Sequence, residues 1–253
     1  MYPLFEHDYS EPRNPMSREC FGNAGEAFPE RCLVSFMGDV LKRHAKTNPC
    51  RQIAVHKSEA FGSPIWKQRI KGVEIAFVQA PVGAPAAGIL VDLLIASGVK
   101  TIVSCGGCGV LNPILSGIII IPSDALRDEG TSCHYLAPKR EIALDAHMVE
   151  AAKRTAIKRH APFLAGKVWT SDGFFRETPS IVKRRKEEGC CAVDMECSAL
   201  AAIARFYGAS YGAVLYSGDS LSSPESHDQR DWVNNKSARE EAFYLSLDVL
   251  LST

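Results

Sequence analysis

The sequence predicts a single α/β domain built on a largely parallel, mixed sheet flanked by helices. Three observations point there. Segments of strand character alternate with segments of helical spacing along most of the chain. The run Gly117-Ile-Ile-Ile-Ile121, ended by Pro122, is apolar throughout, as expected of a strand covered on both faces. No internal repeat or low-complexity linker divides the 253 residues. Residues 1–30 carry Pro3, Pro12, Pro15 and Pro29 among polar residues and read as an extended arm, which leaves 31–253 as the domain.

Cys32 to Met37 is the first apolar strand, ended by Gly38-Asp39, and 40–47 is a short helix. Val73 to Val78 alternates and stops at Ala80-Pro81, which predicts a strand. Between Gly83 and Ser97 the apolar residues Ile89, Leu90, Leu93 and Leu94 recur at helical spacing, and Gly98 supplies the stop. Lys100 to Ser104 is then a strand, with Ser104 to Gly109 as its C-terminal turn. Leu144 to His160 is an amphipathic helix, and Lys167 to Thr170 a strand. Pro179 to Glu188 has proline in its first turn and Gly189 past its end, the marks of a helix. Ala192-Val193 is a short strand that runs into a helix from Glu196 to Tyr207, closed by Gly208. Ala213 to Ser217 is the last strand, and Ser237 to Leu251 the final helix.

Lys plus Arg equals Asp plus Glu at 29 each, so the basic excess usual in nucleic-acid binders is missing. The cluster Lys183-Arg-Arg-Lys186 is followed at once by Glu187-Glu188 and reads as a solvated helix face. The polar, acidic start MYPLFEHDYSEPRNP has no apolar core of a signal peptide, and the best apolar run, Ala86 to Val99, is short and interrupted by Asp92. A soluble cytoplasmic protein without membrane or nucleic-acid partners is expected. Nine cysteines without a secretion signal read as reduced thiols. Cys105 and Cys108 have no downstream Cys-x-x-Cys or His pair at zinc spacing, so no metal site is expected. A redox pair opening a helix is disfavoured by Gly106, Gly107, Gly109 and Pro113.

In such sheets ligands collect beyond the carboxyl ends of the strands. That rule selects Gly38-Asp39, Gly83 to Pro85, Ser104 to Gly109, the Asp194-Met-Glu196 corner and Ser217-Gly-Asp219. Glu196, at a helix start, either caps its own helix or accepts a pair of hydrogen bonds from a vicinal diol, for which an acceptor-only carboxylate is suited. Met195 would then wall the sugar. Asp219 is either a turn or cap residue or a general acid, and to hold a proton near neutral pH an aspartate must lie in a desolvated pocket. Phe174 and Phe175, on sequence alone, read as core.

Six segments, taken together and in order, resemble the nucleoside phosphorylase superfamily that contains purine nucleoside and uridine phosphorylases. They are Pro81 to Ala87, Gly98 to Val110, Ile121 to Thr131, Trp169 to Phe175, Gly189 to Leu200 and Ser217-Gly-Asp219. The resemblance implies a pentosyltransferase that cleaves the N-glycosidic bond of a nucleoside with phosphate, giving free base and pentose 1-phosphate. It implies no cofactor, phosphate as co-substrate, and a homodimer or hexamer with sites at subunit contacts, where His7 of the arm could reach a neighbour. Met195 and Glu196 match the ribose-binding pair, Asp219 the acid of the purine enzymes, and Phe174 an aromatic that stacks on the base. Gly38 and Asp39 match the start of the phosphate loop, with Lys42 or Arg43 nearest to its arginine, and Ser104 and Gly107 lie in the segment bordering phosphate, whose glycines would let backbone approach the anion. Cys108 becomes a small packing residue.

The departures are specific. Ser104 stands where the family has an arginine, and the first loop offers Lys42 and Arg43 in place of its Gly-Asp-Pro-x-Arg. Lysine meets phosphate as a point charge, arginine as a fork. After Phe175 comes Arg176-Glu-Thr-Pro, without the Gln-x-Arg of the uridine enzymes, which with Asp219 favours a purine. The rival readings are a nucleosidase using water, although Gly38-Asp-Val replaces its Glu-Glu pair; a nucleoside-binding relative without catalysis; and a dinucleotide-binding enzyme, which the glycine spacing disfavours.

Overall fold

A computed structural model describes residues 3–11, 21–22, 27–60, 62–223 and 226–253. In chain order its elements are β1 (Phe21–Gly22), β2 (Arg31–Ser35), α1 (Gly38–Thr47), β3 (Arg51–Lys57), β4 (Gly62–Ile70), β5 (Val73–Gln79), α2 (Ala84–Ala96) and β6 (Thr101–Val110). They continue with β7 (Ile119–Asp128), β8 (Glu141–Ala143), α3 (Ala146–Lys158), β9 (Phe163–Ser171), α4 (Pro179–Glu187) and β10 (Cys190–Asp194). The chain closes with α5 (Cys197–Phe206), β11 (Ser210–Ser223), β12 (Ser226–Asp228) and α6 (Lys236–Ser252).

One mixed sheet runs β1-β3-β4-β5-β2-β6-β10-β9-β7-β11-β12, with β8 on β7. Its centre is parallel: β2 pairs with β5 and β6, β6 with β11, and β9 with β7 and β10. Because β6 also pairs with β11, the strands β6-β10-β9-β7-β11 close into a ring. The β3–β4–β5 edge is an antiparallel meander that the sequence does not announce. Pro64 disguises β4. It pairs only with β3, beyond the end of the β5 ladder, where a missing N–H costs least.

The helices sit close to their expected positions. Asp145 caps α3, accepting from the His147 and Met148 amides at 2.9 and 3.4 Å. Gly189, at φ +84°, ends α4 in a conformation that a side chain would strain. Ile119, Ile120 and Ile121 are buried, as the apolar run predicts for a covered strand. Trp169, Tyr216, Phe77 and Phe243 are the largest fully buried side chains.

Two strands run further than expected. The segment Ser104 to Gly109 is not a turn but the second half of β6, and Ser217 to Asp219 lies within β11 at a register shift between Ser217 and Ser220. The reason lies across the sheet. A Cβ on Gly106 would meet Phe36 at 3.1 Å, one on Gly107 would meet Tyr216 at 3.1 Å, and one on Gly109 would meet Leu221 at 2.7 Å. These glycines make room for neighbouring side chains inside a pleated strand. Of the expected arm, residues 12–20 and 23–26 lie outside the described residues. Phe21–Gly22 pairs with β3, the Tyr9 hydroxyl donates to the Cys133 carbonyl at 2.9 Å, and His7 packs against His134 of the same chain.

Candidate active site

The C-terminal half of β6, the β10–α5 corner, the middle of β11 and Val82 ahead of α2 surround a cavity of about 230 Å³. Five of the sequence candidates with side chains of interest line it: Ser104, Phe174, Met195, Glu196 and Asp219, together with Gly107.

At one end, β10 delivers Asp194 and the chain turns into α5. Asp194, not Glu196, caps this helix: its Oδ2 accepts from the Cys197 amide at 2.7 Å and the Glu196 amide at 3.3 Å, while Oδ1 accepts from the Thr170 hydroxyl at 2.7 Å. Glu196 makes no side-chain bond to its own helix. Its Oε1 instead accepts from the Gly83 amide at 2.5 Å, across the mouth of α2. Gly83 holds φ +100°, open to glycine and strained for other residues, which aims that N–H. Of the two readings open to Glu196, the self-capping one fails. Burial pushes its carboxyl up to about 8, with the charge of Asp194 adding and the Gly83 amide opposing. Asp194 is raised to about 6, chiefly by burial.

At the other end, Asp219 lies on β11 with its Oδ2 3.2 Å from the position a Gly109 Cβ would take, so Gly109 lets the acid lie flat on β6. The same oxygen contacts His227 Nε2 in a short hydrogen bond. Phe174 sets its ring 5.8 Å from that of His227. At 42% exposure Phe174 is no core residue, nor is Phe175 at 92%. Glu177 completes this end. Burial first, and then the charge of Asp219, pushes its carboxyl up to about 8.

Lying deeper, the Ser104 hydroxyl is tied to the Tyr211 hydroxyl at 2.7 Å. The thiols of Cys105 and Cys108 are buried; burial pushes the former up to about 12, and the latter donates to the Tyr216 carbonyl at 3.4 Å. Both are free thiols in the packed core.

The structure does not bring Gly38, Lys42 or Arg43 to the cavity lining. The space a Gly38 Cβ would fill is taken by the Gln79 side chain, so that glycine serves packing. Lys42 is exposed on α1, and Arg43 is engaged by Glu240 and Asp39. Gly107 does line the cavity, and a side chain there would meet the Tyr216 ring at 3.1 Å. Arg239 of α6 is the one Arg or Lys among the described lining residues. Glu177, His227 and Arg239 escape sequence reading. Each sits beside other ionisable residues, in Arg176-Glu177, His227-Asp228 and Arg239-Glu240-Glu241, so nothing local singles it out, and the nearest signal is that Glu177 closely follows the Phe174-Phe175 pair. Among the described residues no group of His, Cys, Asp or Glu is placed to hold a metal ion, and no helix is long and apolar enough to cross a membrane.

A mixed sheet with flanking helices, bearing a cavity lined by Glu196, Glu177, Asp219 and Phe174, has the fold of known nucleoside phosphorylases. More narrowly, the chain belongs to the phosphorylase superfamily, whose family model matches residues 30–247. It is 27% identical over 195 residues to a DeoD-type purine nucleoside phosphorylase of Geobacillus kaustophilus, spanning 76% of this chain and 81% of the relative. With a guanosine phosphorylase of Halorubrum lacusprofundi it shares 26% over 144 residues, 56% of this chain and 60% of that one, so this match spans less than two thirds of the relative. Among solved structures, purine nucleoside phosphorylase of Toxoplasma gondii superposes with a TM-score of 0.78 at 18% identity, covering 89% of this chain and 92% of that one. Uridine phosphorylase of Vibrio fischeri gives 0.76 at 20% identity, covering 89% and 93%.

Proposed function

We propose that the chain is a nucleoside phosphorylase acting on purine nucleosides. The observation that supports this best is that Glu196 and Asp219, 23 residues apart in sequence, line one cavity from different elements. Glu196, anchored by Gly83, accepts hydrogen bonds from the pentose hydroxyls, with Met195 beside the sugar. The base lies against Phe174 and faces Asp219 and Glu177.

In the reaction the C1′–N bond breaks with its electron pair passing to the base, while a phosphate oxygen forms the new bond to C1′. The positive charge that grows on the sugar is stabilised by the anionic nucleophile. The departing base takes a proton from the Asp219–Glu177 pair, beside which His227 sits. The relatives fit this reading, being purine nucleoside phosphorylases and, in one case, a guanosine phosphorylase.

Water as nucleophile is the second reading. It is favoured by the Ser104 hydroxyl being bonded to Tyr211. A panel of inosine, guanosine, adenosine and uridine, assayed for free base with and without phosphate, separates the two. Base and pentose 1-phosphate appearing only with phosphate support the phosphorylase. Free pentose at a rate indifferent to phosphate sinks it, and preference for uridine sinks the purine assignment.

A further inference from the structure

A reaction with phosphate needs a cation in the cavity, and α1 and β6 do not bring one to its lining. Arg239 reaches it from α6, close to the other end of the chain. Its side chain is 11% exposed. One Nη donates to Asp39 Oδ2 at 2.9 Å and to the Val233 carbonyl at 3.1 Å, while the other meets Asp39 Oδ1 in a short contact. The Nε of Arg239 is buried and, among the described residues, has no hydrogen-bond partner. A buried guanidinium that lines a cavity with one donor unmatched is a group that lacks an acceptor.

Asp39 is its occupant for now. Partial burial raises the Asp39 carboxyl, and the Arg239 guanidinium more than offsets this and holds it below its ordinary value. Yet Asp39 is 51% exposed, and a second cation, Arg43, stands 3.6 Å away on the next turn of α1. Letting go of Arg239 therefore leaves Asp39 neither buried nor unpaired, and half-exposed ion pairs contribute little.

Building on the phosphorylase reading, we propose that Arg239 is the phosphate ligand of this cavity, and that Asp39 is a resident carboxylate which phosphate displaces from it. The exchange is anion for anion: the fork releases a carboxylate toward Arg43 and takes a doubly charged tetrahedral oxyanion through the same donors. The cation that the phosphate-bordering strand lacks is thus supplied by the C-terminal helix.

The structural alternative is that the pair only ties α1 to α6. The two roles predict different signs. Steady-state kinetics would be run at varied phosphate and fixed saturating nucleoside, then the reverse, on Arg239→Met, Arg239→Lys and Asp39→Asn. Phosphate protection against thermal unfolding is read alongside, since a ligand bound by the folded state alone raises Tm. The proposal expects Arg239→Met to raise the phosphate KM by about 10–100-fold, the scale of a lost charge-assisted bond, with the nucleoside KM unmoved. Arg239→Lys, a charge without a fork, falls between. Asp39→Asn lowers the phosphate KM and strengthens phosphate protection. An unchanged phosphate KM in both Arg239 variants, or Asp39→Asn weakening phosphate in parallel with Arg239→Met, overturns it. If the unsubstituted enzyme itself turns over without phosphate, the phosphorylase reading falls and this assignment with it, a result visible before any variant is made.

Discussion

At the Asp194–Glu196 corner the carboxylates are held by backbone: Asp194 by the amides of residues 196 and 197, Glu196 by that of Gly83. At the Glu177–Asp219 end the acids meet side chains. Asp219 meets His227, and Glu177 feels Asp219 through its charge. The exposures differ too, with Glu196 at 8% and Phe174 at 42%. Backbone donors are placed by the sheet and the helix start and cannot rotate away; side chains can. The first end is thus preset for one shape of ligand, a pentose on the proposed reading. The second can adjust to what is bound, and it carries the movable protons.

The largest expected effect lies at the adjustable end. Asp219→Asn keeps the shape and removes the acid, so turnover of inosine or guanosine should fall by about 10²–10⁴-fold, the usual worth of a positioned acid. Nucleoside KM should change far less, because the amide still fills the space. Full turnover in this variant would show that the proton comes from elsewhere, and Glu177→Gln is the partner to test.

Next comes a pH effect that joins the two ends. Glu177 and Glu196 are held near 8, above their ordinary 4.5, so the folded protein keeps protons that the unfolded chain has released. Stability from such groups is complete below about 4.5 and is lost as pH rises through about 8. His44, His56 and His134 are lowered by burial and act in the opposite sense, but only below their ordinary 6.5. The buried thiols act only above 9. Between these limits the two glutamates dominate. The ligand-free protein should lose roughly 1–3 kcal/mol between pH about 6.5 and about 8.5. Glu196→Gln, which mimics the protonated form, should flatten the slope of Tm against pH. An equally steep slope in that variant would show that Glu196 is not the group responsible.

How much of this could be read in the sequence follows the same division. The corner was legible because its parts are contiguous: a strand, then Asp194-Met195-Glu196, then a helix. Glu196 and Asp219 stood out as acids at predicted strand ends. The assignment of the cap was not legible, since carboxylates two residues apart compete for the same amides and only the turn decides. The length of β6 was hidden because Gly106, Gly107 and Gly109 look like a turn until Tyr216 and Leu221, more than a hundred residues later, are packed against them. Arg239 had no local signal at all, since its meaning depends on Asp39 lying 200 positions away.

The preset end should show its cost in stability. Asp194→Ala strips the α5 cap and the partner of the Thr170 hydroxyl. A lost cap costs about 1 kcal/mol, and for a chain of this size each kcal/mol is worth about 2–4 °C in Tm. The variant should also bind nucleoside more weakly, because the amide of Glu196 is no longer fixed. Asp194→Asn, which can still accept, should recover much of both. If the alanine variant melts at the original temperature, the rigidity claimed for this corner is wrong.

The smallest effect belongs to Phe174. Its ring is 42% exposed and packs edge-on against Phe175 and at a tilt to His227, so the fold gains little from it. Phe174→Leu should therefore move stability by less than about 0.5 kcal/mol, as for other surface positions. A base stacked on the ring would lose about 0.5–1.5 kcal/mol, which is a rise of about 2–12-fold in the nucleoside KM. The phosphate KM should stay put, since no part of the Arg239 cluster touches this side chain. The pair of readouts is what sharpens the contrast between the ends. Asp194→Ala should lower Tm and weaken nucleoside binding together, whereas Phe174→Leu should weaken binding alone. A Tm drop in Phe174→Leu as large as that in Asp194→Ala would mean that the base end is as rigidly built as the corner, and that its protons and its aromatic wall are fixed in place before any ligand arrives.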